Sequence, residues 1–165
     1  MSNLPATDAF PAPGHNHAPC LNVALERAQL AFAAKGSRLT ELRQQVLAEM
    51  AGSHDAIGAY EVLDRLARKG IRVAPISVYR AIDALLEAGV IHRLESRNAF
   101  FACHAGHAPE RSQLVLSCER CGRVAEVAGE SVFRAIDSAV EGARFQTRRT
   151  VAEVSGVCAD CRGGS

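Results

Sequence analysis

The segment Ala74-Pro75-Ile76-Ser77-Val78-Tyr79-Arg80-Ala81-Ile82-Asp83-Ala84-Leu85-Leu86-Glu87-Ala88-Gly89 begins with proline in its first turn and closes on glycine. Proline's fixed φ suits the first helical position, and glycine accepts the left-handed conformation that ends a helix. Val78, Ile82, Leu85 and Leu86 recur at steps of three and four, the apolar stripe of a helix packed on a core. The other face carries Ser77, Tyr79, Arg80 and Asp83, combining phosphate donors with a planar fork able to reach N7 and O6 of a purine. Its plain alternative is a solvated face with a charge pair. Downstream, Val90 to Glu95 and Ala99 to Cys103 flank Ser96-Arg97-Asn98, a turn signal, and read as a hairpin. Upstream lie three more helical patterns. Leu21, Leu25, Ala28 and Phe32 mark one that ends near Lys35-Gly36; Leu42, Val46, Leu47 and Met50 mark a second, capped by Thr40 and stopped near Gly52. The third runs from about Ala59 through Val62, Leu63 and Leu66 to Gly70. Three helices, a fourth amphipathic helix and a hairpin make a winged helix-turn-helix, whose last helix enters the DNA major groove.

The whole chain has 165 residues, 48% of them apolar, and a formal net charge of +1. This is globular composition, enough for one domain or two small ones. No apolar run approaches the roughly 18 residues of a membrane helix, and the first twenty residues lack a secretory pattern, so the expected location is the cytoplasm. Cytosolic reductants keep thiols reduced, which turns six cysteines and six histidines toward metal ligation or catalysis. Near-neutral charge does not suggest wholesale electrostatic capture of nucleic acid, so any DNA binding must come from a local surface. Residues 21–97 carry 11 basic and 9 acidic side chains, so DNA reading rests on architecture more than on charge. Residues 1–20 hold four of the six prolines and read as a disordered tail, in which His15, His17 and Cys20 either touch metal or are simply solvated.

The strongest chemical signal is paired: Cys118-Glu119-Arg120-Cys121 and Cys158-Ala159-Asp160-Cys161. Two residues between thiolates let both sulfurs face one ion from a tight turn, and two such turns complete a closed tetrahedral zinc site. A thioredoxin-like redox pair is the weaker alternative. Around these pairs, residues 113–118 and 123–127 read as strands, Ser131 to Val140 as a helix and Thr150 to Val157 as a strand. So small an α/β unit needs a structural metal or a dimer partner. The fold class expected is α+β: disordered tail 1–20, winged-helix DNA-binding domain 21–97, hinge 98–105 and zinc-stabilised dimerisation domain 106–165.

Several separated motifs in order carry a family resemblance. Arg38-Leu39-Thr40 with Arg43, Ala59-Tyr60-Glu61-Val62-Leu63, Ser77-Val78-Tyr79-Arg80-Ala81-Ile82 and Gly89-Val90-Ile91-His92-Arg93-Leu94-Glu95 resemble the DNA-binding half of the ferric uptake regulator superfamily. Cys118-x-x-Cys121-Gly122 with Cys158-x-x-Cys161 resembles its dimerisation half, and the wing with Phe101-Ala102-Cys103-His104 is most similar to the zinc uptake regulators. The resemblance implies a homodimer that binds a double-stranded operator when zinc-loaded and represses zinc import genes, with Tyr60 near a phosphate and Tyr79 and Arg80 at the groove. It further implies one structural and one regulatory zinc per chain, the second held by His92, Cys103 and Glu126. Thiolate with imidazole and carboxylate agrees with zinc over iron or manganese. Where the family has a fourth histidine ligand this chain aligns Arg111, so His107 is expected to serve instead, with His104 as the other choice. The histidine-rich run of an auxiliary site is absent and its late histidine is replaced near Arg148-Arg149, which predicts two metals per chain. Glu41 stands where the family often has proline, a harmless change in a first turn that welcomes acid.

Other classes fit less well. A water-activating zinc with Glu126 as base would need a substrate pocket, for which the sequence has no signature. Iron, manganese, peroxide or thiol-oxidation sensing on the same fold is distinguished by which ion raises DNA affinity, and a zinc-stabilised module without DNA binding by the effect of Arg80→Ala.

Overall fold

The computed structural model describes residues 9–10, 14, 16–103 and 113–163. The chain divides into two compact units, one ending after the wing hairpin and the other formed by the C-terminal residues.

In the first unit α1 (Ala18–Ala34), α2 (Glu41–Ala51), α3 (Ala59–Arg68) and α4 (Pro75–Glu87) bury their apolar stripes against one another. Helix α1 begins ahead of the expected Leu21, because Pro19 fits its first turn and Asn16 Oδ1 accepts from Ala18 N at 3.0 Å, so the helix takes the last residues assigned to the tail. Thr40 caps α2 as expected, its hydroxyl accepting from Arg43 N. Val46, Leu47 and Met50 of α2, Val62 and Leu66 of α3, and Val78, Ile82 and Leu85 of α4 are fully enclosed, whereas Leu21, Leu25, Leu42, Leu63 and Leu86 are packed at the margin. Gly70 and Gly89 adopt φ of +82° and +71°, the left-handed end that lets the chain turn out of α3 and α4. Leu47 lies at the centre of this core, so Leu47→Ala is expected to lower the unit's unfolding free energy by about 2–5 kcal/mol in chemical denaturation.

The wing is an antiparallel pair, β1 (Ile91–Leu94) and β2 (Ala99–Ala102), with His92 opposite Phe101. Its connection is not a plain turn: Glu95–Arg97 form a 3-10 turn, and Asn98 takes φ +47°, a left-handed position that asparagine tolerates. A two-residue bridge between Ile57 and Phe100 ties the hairpin to the loop ahead of α3.

The second unit is a three-stranded sheet in the order β4-β3-β5, from β3 (Gln113–Cys118), β4 (Val124–Ala128) and β5 (Glu153–Gly156), with α5 (Glu130–Gly142) between β4 and β5. Strands β3 and β4 are antiparallel; β3 and β5 are parallel, with Cys118 opposite Gly156. The last strand starts at Glu153, later than expected, and the final cysteine pair opens into a helical turn absent from the sequence reading, α6 (Ala159–Gly163). Apolar burial here is sparse: Phe133 is the one buried side chain of α5, while Val132, Phe145, Val151, Val154 and Val157 are exposed. Cys118 and Cys158 are among the buried residues, so thiols stand where a larger domain would have aliphatic packing. No helix among the described residues is long and apolar enough to cross a membrane.

Candidate metal centres and DNA face

Parallel pairing of β3 with β5 brings the C-terminal ends of both strands to one edge of the second unit, and each end carries a Cys-x-x-Cys turn. Cys118 and Cys158 are buried, Cys121 and Cys161 half-buried, and none of the four is disulfide-bonded. All four sulfurs lie within 4.8 Å of one another, and Cys121 Sγ is 3.8 Å from Cys158 Sγ. A tetrahedron of sulfurs about 2.3 Å from zinc has edges of about 3.8 Å. The turns that hold them are firmly tied. Cys118 N donates to Arg123 O at 2.9 Å, Gly122 N to Cys118 O at 3.0 Å, and Glu119 N crosses to Gly156 O at 2.8 Å. Gly122 sits at φ +77°, a conformation that a side chain would strain.

The thiols influence one another strongly. Burial pushes the Cys118 thiol up, yet hydrogen bonds from the backbone of Cys158, Cys121 and Arg120 outweigh it and hold Cys118 down at about 6. Cys161, hydrogen-bonded to Cys158 and further affected by burial and by the Cys121 and Cys118 sulfurs, is pushed up to about 12. Four sulfurs this close cannot all ionise unaided, and a dication is what lets them. Arg123 complements the cluster: Nε donates to Cys121 Sγ at 3.3 Å, Nη2 to Cys158 Sγ at 3.4 Å, and Nη2 also meets Asp160 Oδ2 at 2.6 Å. Its pairing with Asp160 and the sulfurs keeps the guanidinium firmly charged. Such partners of a sulfur-rich site fix the orientation of its ligands. Sequence reasoning missed Arg123, although it lies two positions after Cys121.

In the first unit, His92 and Cys103 fall on one face of the wing hairpin. His92 pairs with Phe101, their rings 5.7 Å apart, and Cys103 follows Phe101 by two residues, the spacing that returns a side chain to the same face. Cys103 N donates to Val90 O at 3.1 Å, which extends the ladder by one step. The thiol is buried, and Arg27 of α1 reaches it, donating to Cys103 O at 2.9 Å and to Sγ at 3.4 Å. Glu126, half-buried, sits in the middle of β4 opposite Val115 in the second unit. His104, His107 and Arg111 lie outside the described residues.

The expected reading face of α4 is also formed. Tyr79 and Arg80 are exposed and Ser77 is half-buried, while Tyr60 at the start of α3 is 73% exposed and meets Tyr79 edge to face at 6.3 Å. Desolvation, helped by Tyr60, raises the Tyr79 phenol above its ordinary value, so it stays a neutral donor at any physiological pH.

The model of the ferric uptake regulator family matches residues 34–154. This chain belongs to the ferric uptake regulator family. Within that family it is 36% identical, over 137 residues, to the zinc uptake regulation protein of Escherichia coli strain K12, a match covering 83% of this chain and 80% of the relative. Among solved structures it is similar to a zinc uptake regulator complexed with zinc and DNA, at a TM-score of 0.80 and 35% identity over 86% of this chain and 95% of that one. Holo XcZur matches at a TM-score of 0.77 and 33% identity, covering 87% of this chain and 99% of that one. Within single units the fold brings together the four cysteines, and His92 with Cys103.

Proposed function

We propose that this chain is a cytoplasmic, zinc-responsive transcriptional repressor that binds operator DNA as a homodimer and controls zinc uptake and homeostasis genes. The observation that carries the reading is the 36% identity to a zinc uptake regulation protein across most of the chain. The donor chemistry supports it. One zinc per chain is held by Cys118, Cys121, Cys158 and Cys161 and is structural, since four sulfurs close the coordination sphere. A second, exchangeable zinc is held by His92, Cys103 and Glu126, with His107, or else His104, as the fourth ligand. The thiolate in this set favours zinc over the harder ions iron and manganese. Zinc loading of this set couples metal level to DNA affinity. The protein binds and regulates; it performs no catalysis.

Homodimerisation is supported by the second unit's exposed apolar side chains, with Phe145 68% and Val154 49% exposed, and by β5, which is an edge strand. At the DNA, Arg80 and Tyr79 of α4 read the groove, Ser77 supports them, and Tyr60 meets a phosphate. Arg80→Ala is therefore expected to weaken operator binding by about 1–3 kcal/mol while leaving zinc uptake unchanged, as read by gel shift against matched and scrambled duplexes. The deciding experiment is fluorescence anisotropy on candidate promoter DNA across buffered free zinc, ferrous iron and manganese. Affinity should rise with zinc alone, at concentrations where the structural site is already full. A response to iron or manganese would overturn the metal assignment, and no response to any metal would overturn the regulatory reading.

A further inference from the structure

We propose that His17, Cys20 and His54 form a third metal site, on the DNA-binding unit, that takes up zinc. These residues belong to neither the four-cysteine cluster nor the His92, Cys103 and Glu126 set. Their donor atoms all lie within 4.8 Å of one another. His17 is the N-cap of α1 and Cys20 stands one turn on, the three-residue step that puts both side chains on the same side of the helix. Pro19 between them fixes the first turn, and Asn16 Oδ1 makes the capping contact to Ala18 N at 3.0 Å. The His17 imidazole turns instead toward His54, at 5.0 Å between ring centroids. His54 comes from the loop after α2, which packs against α1, and is 6% exposed. Two imidazoles and a thiol converging on one point, one of them buried, match the ligand types of a borderline-soft divalent ion. Donors around a tetrahedral zinc stand about 3.3–3.8 Å apart, so small side-chain rotations close the remaining gap. Three protein ligands leave one position for water, and the ion staples the start of α1 to the loop between α2 and α3. The chain's total then becomes three zincs, one more than the four-cysteine and His92, Cys103 and Glu126 sets supply.

The test is elemental analysis of the full-length protein equilibrated with buffered zinc. Cys20→Ser and His54→Ala are each expected to bind one equivalent fewer than the unaltered chain. The Cys20→Ser/His54→Ala double variant should also bind only one fewer, because both ligands serve one ion. Cys20→Ser combined with Cys103→Ser should bind two fewer, which keeps this site separate from the regulatory one. If His54→Ala loses helical circular dichroism, His17→Gln, at the helix end, replaces it. Full zinc content in Cys20→Ser would overturn the proposal, as would a loss of two equivalents in the Cys20→Ser/His54→Ala variant. Preferential retention of copper(I) at this equivalent, with both ions buffered, would overturn the choice of zinc.

Discussion

Cys118→Ser is expected to remove one zinc per chain, unfold the C-terminal unit and leave a monomer. Cys118 closes β3, is fully buried, accepts from Cys158 N at 3.5 Å and sits within reach of three other sulfurs. Serine at that point has a hydroxyl that does not ionise near neutral pH, so the tetrahedron is left open on its innermost corner. Structural zinc binding amounts to about 10–16 kcal/mol of apparent free energy in small domains, comparable with the whole stability of a typical domain, about 5–15 kcal/mol. Phe133 and a few strand residues offer too little apolar burial to make up such a loss. Zinc content, sedimentation velocity and circular dichroism read the three consequences together. The helices of the first unit have their own core and should keep their signal. A Cys118→Ser chain that stays dimeric with its full zinc content would rule the structural assignment out.

Cys103→Ser is expected to do the reverse: a folded dimer with its structural zinc, whose DNA affinity no longer follows zinc. The exchange is nearly isosteric, and the backbone bonds of residue 103, from its N to Val90 O and from Arg27 to its O, do not depend on the sulfur. What is lost is the softest donor of the regulatory set. Losing an outer partner of a metal ligand already costs 10- to 100-fold in metal affinity, so loss of the ligand itself should shift the zinc midpoint of DNA binding by more than about 100-fold. Anisotropy over buffered zinc measures that midpoint directly. An unshifted curve would remove Cys103 from the sensing site. The two cysteine variants thus separate folding zinc from signalling zinc within one chain.

Much of this was legible in advance because it is local. The apolar steps through Val78, Ile82 and Leu85, or Val46, Leu47 and Met50, follow from helical periodicity, and each of these side chains is enclosed. Proline near the start of α4 and glycine after its end are likewise backbone chemistry, readable one residue at a time. The wing was legible as a hairpin, but its 3-10 turn was not, since Glu95-Ser96-Arg97 carries no signal that separates that conformation from an ordinary turn. Helix α6 escaped for the opposite reason: a Cys-x-x-Cys reading already explained those residues, and a turn this short has no periodicity to detect.

By itself the sequence determined the order and kind of the main elements, the pairing of two Cys-x-x-Cys turns, and the family to which they belong. Each is written in spacing along the chain, where neighbours interact whatever the rest of the molecule does. Only the tertiary structure decided that β5 runs parallel to β3, which carries the C-terminal cysteines to the sulfurs at the end of β3. It alone placed Arg123 on two of those sulfurs and Arg27 on the Cys103 thiol. It alone brought His54 to His17 and Cys20, because packing of α1 on α2 joins positions whose separation in the chain carries no period and no motif.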